Sequence, residues 1–241
     1  MSTAGTPQAS GAPAGDETPS WSSVLAVVAH PDDETFGLGA VIDHMARAGA
    51  AVHVLCCTHG EASTLNETCQ DLHGARGREL ALAGSRLGIA TTELLDYPDG
   101  RLGAVPVTEL AARVLAAIGR HRPGGLLAFD DTGITGHPDH RAATAAAVHA
   151  ARSRGLPVLA WTLPDTVART LRAETAQPFA GQPPDRIDLT VLVSRRAQRH
   201  AALAHASQIS PGAVLWRRLE LLGDREHLRW LPARETSQEN S

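Results

Sequence analysis

The sequence predicts an α/β domain: a mostly parallel sheet with helices on both faces. Three observations predict it. Short continuous apolar runs alternate with helix-length stretches over residues 24–161, the pattern of βα units joined by right-handed crossovers. The runs are apolar throughout, as in strands covered on both faces, and do not alternate with polar residues. The chain has 241 residues, 43% of them hydrophobic, enough for one core of this kind.

The elements follow in order. Residues 24–29, Val-Leu-Ala-Val-Val-Ala, form the first strand, which stops at His30-Pro31. Gly37-Leu38-Gly39 leads into a helix over 41–48 that ends at Gly49. Residues 51–57 are the second strand, followed by the loop Thr58-His59-Gly60-Glu61. Residues 64–74 lack a period and are expected to form a loop over the site. A helix over 75–87 stops at Gly88, and 92–95 is a short strand before the turn Asp96-Tyr97-Pro98-Asp99-Gly100. Residues 107–121 form a helix, with Thr108 as N-cap and Arg122-Pro123-Gly124 as its stop. Then come a strand over 125–129, an alanine-rich helix over 139–154 and a strand over 157–161. The Pro-rich stretch 163–184 yields no assignment. A strand is expected at 187–193 and a helix at 195–207, while 215–231 is ambiguous.

Composition excludes several classes. Lys+Arg 22 against Asp+Glu 26 gives a formal net charge of -4, and every basic residue is an arginine. A mildly acidic chain does not bind nucleic acid through backbone charge. No run of about 20 apolar residues predicts a membrane span. Residues 1–20 are rich in Ser, Thr, Ala, Gly and Pro, without a basic start or an apolar run. They predict a disordered tail, not a signal peptide, before a single domain at 21–241, and so a cytoplasmic chain. Cys56, Cys57 and Cys69 have neither the number for a disulfide framework nor C-x-x-C spacing. Cys56-Cys57 reads as a buried pair, and Cys69 falls in the loop over the site. Arg195-Arg196-x-x-Arg199 reads as a solvated helix face.

Two segments carry chemistry: His30-Pro31-Asp32-Asp33-Glu34 and His137-Pro138-Asp139-His140. Each follows a predicted strand, and the carboxyl ends of parallel strands share the rim where ligands bind. His30, Asp33 and His140 supply the three N/O ligands of a hydrolytic zinc site, leaving one position open for water. Zn²⁺ lowers the pKa of that water from 15.7 toward roughly 7. Asp32, beside a ligand but projecting differently, is the candidate general base; capping the following helix is its competing role. His137, one helical turn before His140, can stabilise an oxyanion or protonate a leaving amine. Asp139 can hold His137 in its donor tautomer. Glu34 reads as structural. For Asp96 and Asp99, turn roles beside Pro98 and Gly100 are favoured over ligand contact.

These motifs resemble those of the PIG-L/LmbE-type zinc de-N-acetylases. Ala29-His30-Pro31-Asp32-Asp33-Glu34 with Gly37-x-Gly39 is similar to the family's opening motif, and His137-Pro138-Asp139-His140-Arg141 to its second. Thr58-His59-Gly60-Glu61, the pair Arg76 and Glu79, Asp96-Tyr97-Pro98-Asp99-Gly100 and His205-Ala206-Ser207-Gln208 also fit. The resemblance implies a Rossmann-like fold and hydrolysis of an N-acyl group, typically acetyl on a glucosamine-type amine. It implies the same roles for His30, Asp33, His140, Asp32 and His137. It adds Arg76 as a contact to substrate hydroxyls or to an anionic group; a solvated helix face or an ion pair with Glu79 is the alternative. The implied partner is a small N-acylated amino sugar, and a homo-oligomer is left open.

One departure stands out. Mycothiol-pathway deacetylases carry a tyrosine two residues before the second motif, and here that place holds Thr135. A threonine hydroxyl is shorter. This, with the shorter chain, favours a compact member acting on another N-acylated sugar or a secondary metabolite. Two rival activities remain: an amidase for thiol-conjugate amides, and a two-metal phosphoesterase drawing on Asp130, Asp131 and Glu34.

Overall fold

The computed structural model describes residues 16–65 and 71–232. Most of the predicted tail, and Cys69, lie outside these residues. The chain runs β1 (Ser23–Val28), α1 (Asp33–Phe36), α2 (Gly39–Arg47), β2 (Ala51–Thr58), α3 (Leu72–Leu87), β3 (Thr91–Tyr97), α4 (Val107–His121), β4 (Gly125–Phe129), α5 (Gly133–Gly136), α6 (Pro138–Arg154), β5 (Val158–Thr162), α7 (Asp165–Thr175), β6 (Leu189–Leu192), α8 (Arg196–Ala202), α9 (Val214–Leu222) and β7 (Arg225–Leu231). Seven strands form one sheet in the order β3-β2-β1-β4-β5-β7-β6. The first five are parallel; β7 pairs antiparallel with both β5 and β6.

The central strand explains the apolar pattern. Val24, Ala26 and Val28 of β1 enter one core layer, whereas Leu25, Val27 and Ala29 enter the other. Period-2 alternation therefore places hydrophobic groups on both faces, and the run reads as continuous. On one face α2, α3, α7 and α8 contribute to the core; α4 and α6 cover the other. Ala143, Ala146, Ala147, Ala150 and Ala151 of α6 are buried there. Burying small side chains lets that helix lie close on the sheet. Cys56 and Cys57 are buried at the end of β2, and burial pushes the Cys57 thiol up to about 12.

Several expectations need correction. Pro106, not Thr108, holds the N-cap position of α4, and its fixed φ suits a helix start. Helix α3 begins at Leu72 because Asp71 caps it, accepting from the Gly74 N–H at 2.9 Å. The unassigned Pro-rich stretch contains α7, and 215–231 contains all but the first residue of α9 and all of β7. Arg195 is not on a solvated face. Its guanidinium pairs with buried Glu226 and donates to Gln198 Oε1 at 2.9 Å. Among the described residues no helix is long and apolar enough to cross a membrane.

The topology fixes the site. Strand order runs outward from β1 in opposite directions, to β2 and β3 on one side and to β4 and β5 on the other. The switch between β1 and β4 leaves a crevice at their carboxyl ends, and both His-Pro-Asp segments emerge there.

Candidate active site

Beyond β1 the chain turns sharply. Asp32 takes φ 124, a region L-residues rarely occupy, at a cost of about 1–3 kcal/mol. The turn brings Asp33 back under the strand end, where its Oδ2 accepts from the N–H groups of Ala29 (3.1 Å) and His30 (3.0 Å). Asp33 Oδ1 lies 3.1 Å from His140 Nε2, and Oδ2 lies 3.6 Å from His30 Nδ1. Burial opposes the charge of Asp33, but His140, His30 and the backbone donors outweigh it and hold the carboxyl below its usual range. Beyond β4, Ile134 also takes a positive φ, 64, an outlier for a β-branched residue. Pro138 sits in the first turn of α6, which fixes the start of that helix and sets His137 and His140 over β1.

Three imidazoles converge. The ligand atoms of His30, His137 and His140 lie within 4.8 Å of one another. Each ring has a different role. His140 Nδ1 lies 3.2 Å from the Gly133 carbonyl. A carbonyl only accepts, so Nδ1 carries the hydrogen, and Nε2 turns its other side to the Asp33 carboxylate. His30 Nε2 lies 3.0 Å from Asp99 Oδ1 and 3.4 Å from Asp139 Oδ2. Neither oxygen is aligned, so this buried nitrogen has no hydrogen-bond partner among the described residues. Burial opposes protonation of His30, yet Asp139, Asp99, Asp33 and Asp32 together push it up to about 10. Four carboxylates around three imidazoles, with one orphaned nitrogen and one imidazole facing a carboxylate, form a donor set that fits a divalent cation.

Asp32 occupies the N-cap position of α1 but makes no capping bond. Its Oδ2 instead meets Arg76 Nη2 at 2.9 Å. Burial pushes its carboxyl up to about 6, against the pull of Arg76. Arg76 is buried, only 3% exposed. It donates to Gly60 O at 2.7 Å and to Pro31 O. Gly60 must be glycine here, because a Cβ would strike the Arg76 guanidinium. Arg76 is thus neither a solvated residue nor the partner of Glu79, which accepts from Ser207 N (2.8 Å) and Oγ (2.7 Å).

Two aspartates differ from expectation. The Asp139 carboxylate does not orient His137. It accepts from the N–H groups of Gly100 (2.7 Å) and Leu102 (3.0 Å), because the start of α6 faces that loop. The Asp139 backbone N–H donates instead to His137 Nδ1 at 3.2 Å. That bond makes Nε2 the hydrogen-bearing nitrogen of neutral His137. Asp99 is more than a turn residue: it accepts from Ala62 N at 2.9 Å and reaches His30. Its neighbour Asp96 does stay at the surface, 2.9 Å from His59 Nε2.

Glu34 is fully buried and structural. Its Oε2 accepts from Asp32 N at 2.9 Å, and its Oε1 lies 2.7 Å from His205 Nε2. His205 was legible only as part of a motif; no spacing in the sequence links it to Glu34. Asp130 and Asp131 lie away from the cluster, held by Arg229 at 2.6 and 2.5 Å. With Glu34 engaged as well, the two-metal reading loses its spare ligands.

Two cavities meet at this cluster. One, of about 620 Å³, is lined by polar groups including Asp32, Ser63, Thr64, Arg76, Asp99 and His137. The other, about 410 Å³, is walled mainly by apolar side chains and holds Thr135. Asp33, Phe36, Leu65, His140, Gln177 and Gln208 line both.

Residues 25–151 match the PIG-L family model, described as GlcNAc-PI de-N-acetylase. The chain is 33% identical over 232 residues to the 1D-myo-inositol 2-acetamido-2-deoxy-alpha-D-glucopyranoside deacetylase of Mycolicibacterium vanbaalenii, covering 78% of this chain and 81% of that one. Its fold is similar to that of N,N'-diacetylchitobiose deacetylase from Pyrococcus horikoshii, with TM-score 0.65 at 22% identity over 88% of this chain and 85% of that one. The 4-carboxy-2-hydroxymuconate hydratase of Pseudomonas putida KT2440 matches equally well, with TM-score 0.65 at 21% identity over 91% and 99%. The fold thus serves more than one reaction, and family membership rests on sequence and motifs. The chain belongs to the PIG-L family of de-N-acetylases.

Proposed function

We propose that this protein hydrolyses the N-acyl amide of an amino-sugar conjugate of the N-acetylglucosamine type, using zinc held by His30, Asp33 and His140. The observation that carries the reading is the pairing at His140: Nδ1–H is committed to Gly133 O while Nε2 faces Asp33 Oδ1 at 3.1 Å. A metal-ligating histidine commonly donates its other ring N–H to a carbonyl in this way. The relatives act on N-acetylated glucosamine derivatives by name, and the polar cavity offers hydroxyl-binding groups. When bound, zinc supplies Lewis acidity toward the amide carbonyl and acidifies water.

The chain's own residues do the rest. Asp32, at about 6 and held by Arg76, takes a proton from the attacking water. That pKa suits a base working near neutrality. The water oxygen bonds to the carbonyl carbon while His137, through Nε2–H, donates to the developing oxyanion. The C–N bond then breaks, and the proton held by Asp32 passes to the amine nitrogen. The products are the free amine and the carboxylic acid, and no redox partner is needed. Arg76 acts on the reaction by orienting Asp32. Thr135 lines the apolar cavity, which leaves His137 as the oxyanion donor of the chain.

Asp32→Asn keeps the shape of the side chain and removes the base. Release of free amine from N-acetylglucosamine conjugates should fall by about 10²–10⁴-fold, with one zinc per chain retained. Full turnover at unchanged zinc content overturns the assignment of Asp32.

A further inference from the structure

The apolar cavity is large for an acetyl group. An acetyl amide sends one methyl beyond its carbonyl. A water-sized group occupies about 30 Å³, so a cavity of about 410 Å³ has room for on the order of ten such groups. The walls are Phe36, Phe129, Ile134, Trp161, Phe179 and Leu215. Gly37 keeps one wall in place, since a Cβ there would collide with the Phe129 ring. Thr135 also lines it.

Apart from Asp33 and His140 on the side shared with the polar cavity, one charged residue stands among these walls. Arg218 of α9 lines the cavity with its guanidinium 5.0 Å from the centroid of the Trp161 ring. It donates through Nη2 to Phe36 O. Its Nε is buried without a hydrogen-bond partner among the described residues. No carboxylate of the described residues lies within 4 Å of it; the nearby charge of Glu226 is taken by Arg195, and Glu226 also accepts from Trp161 Nε1 at 2.7 Å. Arg218 is partly buried with no carboxylate paired to it directly, and burial pushes its guanidinium down to about 10 against the pull of the more distant Glu226, Asp33 and Asp32. An arginine fixed on an aromatic face and open to a cavity matches a carboxylate in shape and charge.

The two cavities differ in kind and share the wall formed by Asp33 and His140. An amide lying across that wall puts one substituent in each. The hydroxylated amine belongs with Asp32, Arg76 and Asp99, and the acyl chain with the aromatic walls. We propose, building on the amide-hydrolase reading above, that the second cavity is an acyl pocket for a dicarboxylic mono-amide. The acyl chain lies along the aromatic walls, and its far carboxylate meets Arg218.

The test uses glucosamine carrying N-acetyl, N-hexanoyl, N-glutaryl or N-adipoyl groups, with free amine as readout. The zinc-loaded protein should prefer adipoyl or glutaryl over hexanoyl by at least about tenfold in kcat/KM, the scale of one lost hydrogen bond to a charge. Arg218→Met, which keeps much of the volume, should abolish that preference. A second variant, Thr135→Phe, narrows the cavity without touching the charge and should lower the ratio of adipoyl to acetyl turnover. Calorimetry with free adipate gives a readout besides activity: binding should weaken at least about tenfold in Arg218→Met and persist after zinc is stripped. Equal turnover of hexanoyl and adipoyl amides, or adipate binding indifferent to Arg218, overturns the acyl pocket while amide hydrolysis stands. Adipate binding that depends on Arg218, with no amide cleaved, overturns the hydrolase reading and leaves the carboxylate site.

Discussion

The same tripeptide, His-Pro-Asp, occurs at 30–32 and at 137–139, and the two copies do opposite things. In the first, the aspartate is forced to φ 124, lines the polar cavity and is pushed up to about 6. In the second, the aspartate lies in the first turn of α6, fully buried, with two backbone N–H groups on its carboxylate. Burial opposes its charge too, but His30 and the Gly100 N–H hold it below the usual carboxylate range. The histidines also differ. His30 is buried with an orphaned nitrogen, whereas His137 caps α6. A short motif therefore does not specify a role. For these two aspartates, the backbone donors on Asp139 and their absence from the Asp32 carboxylate separate the structural from the reactive role.

The histidine comparison should give the largest effects. His30→Ala and His140→Ala should each lose bound zinc and bring turnover to background. His137→Ala should retain zinc, read by elemental analysis, and lose about 10²–10³-fold in kcat. Loss of zinc from His137→Ala would instead make it a ligand and erase the contrast. Next come the aspartates. Asp139→Ala strands the N–H groups of Gly100 and Leu102, at about 1–3 kcal/mol each, so its melting temperature should drop by several degrees or more. A melting temperature unmoved in Asp139→Ala would break the assignment of a structural role.

The smallest effect is a pair of opposite pH slopes in zinc-stripped protein. The Asp32 carboxyl is raised to about 6 on folding, so the folded chain binds the extra proton between about 6 and the ordinary carboxylate range. Acidification through that window should stabilise the native chain relative to Asp32→Asn. Asp139 is lowered, so its contribution is present above the ordinary carboxylate pKa and is lost as pH falls below it. Acidification there should destabilise the native chain relative to Asp139→Asn. Denaturant titrations at several pH values read both slopes, and slopes of the same sign would refute the contrast.

Legibility followed the range of the contacts. Strands β1, β2, β4 and β5 are short apolar runs whose covering helices lie next to them in sequence, so local pattern sufficed. The two histidine motifs follow two of those strands, and parallel topology brings such ends together. Strand β7 was not legible because it carries Glu226 at a buried position, satisfied only by Arg195 and Trp161 from distant segments. Asp99 looked like a turn residue because its partner, His30, lies 69 positions away. Arg218 had no sequence signal, since nothing local tells an arginine under an aromatic ring from one in water.

The position of β7 has a consequence for how the chain assembles. Residues 225–231 occupy an interior place in the sheet, between β5 and β6, and among the described residues β6 has no other strand partner. During synthesis the five parallel strands can pair as they emerge, but β5 keeps a bare edge until residues 225–231 have been made. An open strand edge invites pairing with other chains. The ribosome-bound nascent chain therefore passes through a stage in which most of the crevice exists while one flank of the sheet is still a template for misassembly.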